Sequence, residues 1–442
     1  MNWNSAQKIT TSILGMLALL SSVAGAAQPV PVAIVKTAAG YELTRGGSPY
    51  IVKGAGMESA DVASDNMERL VAAGGNSLRT WSVGTHTDQL LERAEQLGLT
   101  VALCLNIAKE RHGFDYSDKQ AVAAQLQAAE EAVRKYRDHP ALLAWIIGNE
   151  LNYDYKNPQV YDAVNEISKM IHRLDPHHPT TTTIAGISPE LVATIQERAP
   201  DLDFLSVQLY GDLLNLPRYI EEIGYSGPYF ITEWGSIGHW EVGKTRWRAP
   251  IEPSSSKKAA HYLKSFRTAI ASHRDQVIGN YVFLWGQKQE RTPTWYGLFT
   301  ENGESTEAID TMQYIWTGSW PNNRSPQLKS LRLDRKKAED SIRLQAGKQY
   351  RAKARVKDPE RDPLQYRWSI KRESDSRQHG GDFEQGIADI PGLIQGSGAR
   401  IRLQAPPQPG TYRLFLYALD GRGNAAHGNI PFQVLAAMES KP

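Results

Sequence analysis

Glu150 and Glu233 each close a short apolar run, Trp145-Ile146-Ile147-Gly148-Asn149 and Phe230-Ile231-Thr232. Two carboxyl groups facing one cleft suffice to break a glycosidic bond. One protonates the leaving oxygen, and the other attacks the anomeric carbon or activates water. These tasks demand different environments, because the acid must stay protonated near neutral pH while its partner is ionised. Arg79 and Tyr210 are residue types that hold a neighbouring carboxylate ionised, by charge and by hydrogen bond. Asn149 suits donation to a sugar 2-hydroxyl, a contact that strengthens in the transition state. Five of the eleven tryptophans fall between residues 234 and 295 (Trp234, Trp240, Trp247, Trp285 and Trp295). Indoles stack on sugar faces, and Trp285 is expected at the sugar floor. Trp81, Asn106, Gln208 and Trp234 complete the expected substrate contacts. Asp115, Tyr116, His86, His112 and His239 lie on nearby loops as further polar groups.

The elements that must position these residues alternate along the chain. Apolar runs at 51–56, 76–81, 100–107, 142–148, 180–185, 204–210, 229–232 and 279–285 read as eight strands. Helical spacing is found at 61–73, 88–97, 119–137, 158–174, 256–272 and 306–316, and Ser188-Pro189 is a cap and proline opening another helix. Short apolar strands alternating with amphipathic helices argue for a parallel sheet with helices outside. An open doubly wound sheet is the alternative. The count of eight, a span near the ~250 residues a barrel needs and the lack of a third glycine after Gly54-Ala55-Gly56 favour a closed (β/α)8 TIM barrel. Catalytic groups then stand at the C-terminal strand ends. Arg79 and Trp81 fall at the end of strand two, Asn106 of strand three, Asn149-Glu150 of strand four, Gln208 and Tyr210 of strand six, Glu233-Trp234 of strand seven, and Trp285 of strand eight.

Trp145 to Glu150 and Phe230 to Gly235 together resemble the paired signatures of the retaining glycoside hydrolases of clan A. The resemblance covers about residues 45–318. It is nearest to the barrel of family 2 and is similar also to families 5 and 72. It implies Glu150 as acid/base, Glu233 as nucleophile and Arg79, Asn149, Tyr210 and Trp285 as the supporting shell, with net retention. Departures exist: Gln208 and Asn106 stand where family 5 carries histidines, and no β-sandwich precedes the barrel as in family 2. His177-His178 sit on the opposite face and are read as structural. No metal or other cofactor is expected.

Residues 1–27 hold one base, Lys8, an apolar run from Ile13 to Leu20, and small residues to Ala27. That order is expected of a signal peptide, which predicts an exported protein, periplasmic or secreted. The barrel is assigned to 28–320 and a linker to 321–326. Residues 327–442 show short alternating segments and are assigned to an all-β immunoglobulin-like sandwich, with 374–398 as a long loop. One cysteine, Cys104, excludes an internal disulfide. The net charge of +2 gives no case for nucleic acid. That near-neutrality hides a division. Residues 324–442 carry 22 bases and 13 acids, and the barrel 27 bases and 35 acids. The basic module is expected to touch either an anionic envelope or the barrel itself. The expected partner is a polysaccharide or oligosaccharide substrate, with no obligate protein partner. A glucan-active hydrolase or transglycosylase is the first reading. A non-catalytic polysaccharide-binding or envelope scaffold is the second.

Overall fold

The computed structural model of the chain describes residues 28–377 and 380–436, so the expected signal segment, residues 1–27, lies outside the described residues. Three strands come first: β1 (Val32–Thr37), β2 (Gly40–Arg45) and β3 (Ser48–Pro49), paired antiparallel in that order. Eight parallel strands follow: β4 (Gly54–Gly56), β5 (Ser77–Arg79), β6 (Thr100–Leu105), β7 (Leu142–Asn149), β8 (Thr180–Ala185), β9 (Phe204–Gln208), β10 (Tyr229–Trp234) and β11 (Val277–Val282). They close in the order β10-β11-β4-β5-β6-β7-β8-β9, a complete barrel with no free edge. The fold is thus a TIM barrel.

Around the barrel run α1 (Asn66–Ala72), α2 (Thr87–Gln96), α3 (Lys119–Tyr136), α4 (Gln159–Leu174), α5 (Pro189–Arg198), α6 (Leu216–Ile223), α7 (Ser255–Ser265) and α8 (Glu307–Thr317). Their starts follow local chemistry. Asp118 caps α3 by accepting from the Gln120 and Ala121 amides, and Ser188 caps α5 ahead of Pro189. α7 runs on into one π-helical turn, Phe266–Ala271. α6 was not expected from the sequence. It starts at a leucine-proline pair and ends on Gly224 in the left-handed region.

The barrel interior is apolar, with Ala102, Cys104, Ala144, Ile146, Phe204, Phe230 and Tyr281 packed together and continuing into Val32, Leu43 and Val52. The three-stranded sheet therefore floors the barrel; Val32 N–H donates to the His177 carbonyl, 2.8 Å, on the face opposite the C-terminal strand ends. Strand β8 is a run of four buried threonines, and each hydroxyl is hydrogen bonded. Thr181 meets Ser206 at 2.8 Å, and Thr182 donates to the Ile147 carbonyl at 2.8 Å.

Beyond α8, strands β12 (Gln327–Leu333), β13 (Ile342–Gln345), β14 (Gln349–Lys357), β15 (Gln365–Arg372), β16 (Ile394–Gln395), β17 (Arg400–Gln404), β18 (Gly410–Leu419) and β19 (Ala425–Leu435) form two four-stranded sheets, β12-β14-β17-β16 and β13-β19-β18-β15. This β-sandwich packs on the barrel. Ser325, within the linker, is buried and its amide donates to Asp310 of α8 at 2.6 Å. Glu252 lies buried at the contact. It accepts from Lys258 (2.5 Å), Thr292 (2.6 Å), Thr294 (2.9 Å) and Asn429 of the sandwich (2.5 Å). Arg413 reaches from β18 to the Pro250 carbonyl, 2.9 Å.

Candidate active site

A cavity of about 1490 Å3 opens at the C-terminal ends of the barrel strands. Its lining includes Trp81, Asn106, Asn149, Glu150, Gln208, Tyr210 and Glu233. Seven of the ten residues expected from sequence thus share one cavity, and Arg79 lies fully buried directly beneath.

Glu233 is held from three sides. Arg79 Nη1 donates to Oε1 at 2.9 Å, Trp81 Nε1 donates to the same oxygen at 2.6 Å, and the Tyr210 hydroxyl donates to Oε2 at 2.8 Å. Burial, reinforced by the Glu233 charge, pushes the Tyr210 phenol well above its ordinary range, so it stays a donor. Arg79 is a buried cation whose donors also reach the Thr232 carbonyl (3.2 Å) and Asn149 Oδ1 (2.8 Å), so the charge is paired and its hydrogen bonds are made. Trp81 is shaped to its place by Gly56: a β-carbon there would stand 2.6 Å from the indole.

Asn149 Oδ1 accepts from Arg79 Nη2, from Gln208 Nε2 at 2.8 Å and from Thr183 Oγ1 at 3.1 Å. Cationic and amide donors fix which end of this side chain is the carbonyl, leaving the amide NH2 as its other end in the cavity lining. Glu150 follows on a backbone bent for it. Gly148 has φ 78° and Glu150 itself φ 52°, a left-handed conformation that a non-glycine residue adopts at a cost. Its amide is pinned to the Thr183 carbonyl at 3.0 Å. Burial, then the charge of Glu233, raises the Glu150 carboxyl to about 7. One cavity therefore holds a carboxyl group poised near neutrality and another bound by a cation and two neutral donors, the division that acid/base and nucleophile require.

Two expected contacts, Trp285 and Trp234, are corrected. Trp285 is fully buried and donates to the Asn66 carbonyl at 2.8 Å, packed on Phe299 and Trp316. Strand β11 ends at Val282, and Phe283 takes the cavity position instead. Trp234 points outward to Tyr262 and Phe266, with its indole N–H on Asn280 at 3.2 Å, because side chains alternate along a strand and Glu233 points inward. Asn106 lines the cavity and also braces the loop after β5, its amide accepting from the Val83 amide at 2.9 Å and donating to the Val83 carbonyl at 2.7 Å, with a second N–H left over.

Among the loop residues, Trp240 lines the cavity half-exposed and meets Tyr210 edge to face. Trp295 is buried and anchors its loop by donating to the Ile237 carbonyl, 2.9 Å. His239 lines the cavity, bonded to Tyr296, with burial pushing its imidazole down to about 4. Tyr116 is buried with its hydroxyl on the Ala108 carbonyl, 2.5 Å, and Asp115 closes a turn onto the Ser117 amide, 2.8 Å. His178 is buried against Asp175, which also accepts from Trp145, a brace on the opposite face.

Sequence reasoning passed over Glu58, Lys109, Lys288 and Tyr296, all in the lining. Glu58 was legible, since it stands just beyond the Gly54–Gly56 strand. Gly380 and Gly381, contributed by the sandwich, also line the cavity and carried no local signal.

Residues 53–317 match the model of the glycosyl hydrolases family 2, TIM barrel domain. A probable mannan endo-1,4-beta-mannosidase C of Aspergillus terreus is 27% identical over 135 residues, covering 23% of this chain and 33% of that protein. Among solved structures, a beta-glucuronidase of an uncultured Clostridium superposes with TM-score 0.52 at 18% identity, over 66% of this chain and 54% of that one. Beta-glucuronidase 2 of Bacteroides uniformis gives TM-score 0.51 at 12% identity, over 92% of this chain and 48% of that one. At these identities the solved structures speak for the fold. The chain spans about half the length of those structures and a third of the curated relative.

Proposed function

The chain belongs to family 2 of the glycosyl hydrolases through its TIM barrel domain, and from that premise we propose that it is an exported retaining β-glycoside hydrolase acting on a β-linked polysaccharide. Glu233 attacks the anomeric carbon while Glu150 gives its proton to the departing oxygen. A glycosyl ester on Glu233 results. Glu150, now ionised, takes a proton from water, or from an acceptor sugar hydroxyl, whose oxygen displaces Glu233. Water yields hydrolysis and a sugar yields transfer.

The observation that carries this reading is the unequal treatment of two carboxyl groups in one cavity. Three donors hold Glu233, whereas burial and the neighbouring charge raise Glu150 to about 7. Asn149, oriented by Arg79, Gln208 and Thr183, presents its amide as the donor to a sugar hydroxyl. The export proposal rests on the order base, apolar run and small residues in 1–27, and mature-chain N-terminal sequencing tests it.

The test is a panel of linear β-1,3-, β-1,4-, β-1,6- and β-1,2-glucans, β-1,4-mannan and an aryl β-glucuronide, with products resolved by length and anomeric form. Glu233→Gln is expected to abolish turnover. Glu150→Ala is expected to spare only substrates whose leaving groups need no proton. Full activity in both variants, or a first-formed product of inverted configuration, would refute the assignment.

A further inference from the structure

The corner of the cavity between β11 and β4 carries ionisable side chains that the two-carboxylate chemistry does not use. Glu58 follows β4, and Lys288 and Glu290 follow β11, its neighbour in the barrel. All three line the cavity. Glu290 is buried, and the Lys288 ammonium pairs with it at 3.0 Å. That ammonium stands 5.9 Å from the centre of the Phe283 ring, which meets Trp81 edge to face. Arg291 also lines the cavity, but its guanidinium donates to the Ser376 carbonyl and its amide to Glu384. Glu58 is held by nothing comparable. Its carboxyl is raised by burial, and Lys288, Asp61, Arg79 and Glu233 act on it only through space. Among the described residues no side chain or amide donates to it, so its acceptor sites are open to whatever fills the cavity.

We propose that Glu58 and Lys288 read the hydroxyl groups of the sugar that Glu233 attacks, and that Glu58 restricts this sugar to a neutral one, against a uronate. The inference rests on the function proposed above and concerns the same cavity. In the closed strand order, β11 stands directly across the barrel from β7. The departing part of the substrate takes its proton from Glu150, beyond β7, and leaves on that side. The retained sugar, bonded to Glu233 at the end of β10, therefore extends toward β11 and β4, where Glu58 and Lys288 wait. The two oxygens of one carboxylate accept from two adjacent hydroxyls at once. The Lys288 ammonium has three N–H groups, and pairing with Glu290 leaves others to donate to a sugar oxygen. A uronate would set a second carboxylate against Glu58, with the Lys288 charge already offset by Glu290 and Arg291 turned to the sandwich.

The experiment uses the full chain and aryl β-glycosides of the sugar in whichever panel glycan is cleaved. They carry a single sugar or a short oligosaccharide ahead of the aryl group, so that short and long retained parts are both served. Each is compared with counterparts whose unit beside the aryl group lacks one hydroxyl or carries a C6 carboxylate. In the wild type, loss of either of two adjacent hydroxyls is expected to lower kcat/KM about tenfold to a hundredfold, and the carboxylate at least as much. In Glu58→Ala both deoxy penalties should shrink to within about threefold, and in Lys288→Met one of them should. Glu58→Gln keeps the shape and removes the charge, so it should relieve the uronate penalty. A side chain that only supported the fold would slow every substrate by one factor and leave these ratios intact. Unchanged ratios in Glu58→Ala therefore overturn the inference, as does a wild type that prefers the uronate or ignores every hydroxyl, and the glycosidase reading survives either result. If Glu58→Ala does not fold, the wild-type ratios and Glu58→Gln decide on the same terms. A wild type that cleaves nothing in the panel sinks both readings together.

Discussion

Replacing Lys109 with methionine tests whether Glu150 is the acid that sets the alkaline limit of activity. Lys109 lines the cavity half-buried, and its ammonium is the first among the charges that pull the Glu150 carboxyl down against burial and Glu233. Its own ammonium is lowered by burial and held up chiefly by Glu150. The two form no ion pair, so their attraction acts through space across the cavity. Two unit charges about 7 Å apart at an effective dielectric near 20 interact by roughly 2.4 kcal/mol, or about 1.7 pH units. Solvent reaching the half-exposed ammonium reduces this several-fold, to about 0.5–1 unit. Removing the cation disfavours the carboxylate, so the Glu150 value moves up from about 7. The assay is the pH profile of kcat/KM on an oligosaccharide whose leaving hydroxyl needs a proton. Wild-type activity is expected to fall about tenfold per unit above the limb. The variant's limb should lie about 0.5–1 unit higher, a gain of about threefold to tenfold at a fixed alkaline pH relative to its own optimum. A limb that stays put, or moves toward acid, refutes Glu150 as the group titrating there.

Tyr210→Phe removes one donor to the Glu233 carboxylate, a loss of about 1.5–3 kcal/mol, so kcat/KM should drop roughly tenfold to a hundredfold with the fold intact; an unchanged rate would show the phenol to be idle. Gly148→Ala places a β-carbon 2.8 Å from Leu151 at φ 78°, so the turn carrying Asn149 and Glu150 must shift. Turnover should fall at least about tenfold in steady-state assays, and parity with wild type would refute the need for that turn. At the sandwich contact, burial pushes the Glu252 carboxyl up, but Lys258 above all brings it down to about 2, while burial and Lys258 press His427 down to about 3. Both groups bind fewer protons folded than unfolded, so stability is present near neutrality and is lost as pH falls from about 6.5 toward 2, with roughly 3 kcal/mol of the loss coming from Glu252 as pH drops from about 4.5 to about 2. Scanning calorimetry between pH 7 and 3 should follow that fall, and Glu252→Gln, which leaves Lys258 buried without its counter-charge, should cost about 3–5 kcal/mol in urea unfolding; a flat profile or a neutral variant would show the cluster to be incidental.

Much of the barrel was legible because a fully buried parallel strand reads as a run of apolar or β-branched residues, and runs such as Leu142–Asn149 and the threonine-rich Thr180–Ala185 leave little choice. Glu150 and Glu233 followed from position alone, at the ends of β7 and β10. The errors lie one step finer. Alternation along β10 puts Trp234 on the helix side once Glu233 faces the cavity, a rule available from the sequence but not applied. Trp285 was misplaced because β11 ends at Val282, three residues before the indole, and Phe283 meets the cavity first. The roles of Asn106 and Gln208 depend on partners 23 and 59 residues away, which no local pattern encodes. The sandwich segment at the mouth is the extreme case: Glu384 accepts from the Arg291 amide and Asp382 from Arg111, partners 93 and 271 residues apart in the chain. The Gly/Ser/Asp texture of 374–398 announced a loop without saying where it would land.

The left-handed backbone of Glu150 sets thermal robustness against turnover at one position. A glycine at φ 52° escapes the penalty of about 1–2 kcal/mol that a β-carbon meets there, and the buried carboxyl with its unfavourable neighbour Glu233 disappears with the side chain. A library of variants ranked by melting temperature alone would therefore promote chains that have lost the proposed acid. Under selection for persistence without selection for product, residue 150 is where the proposed activity should be lost first, and the descendants would melt later than their ancestor.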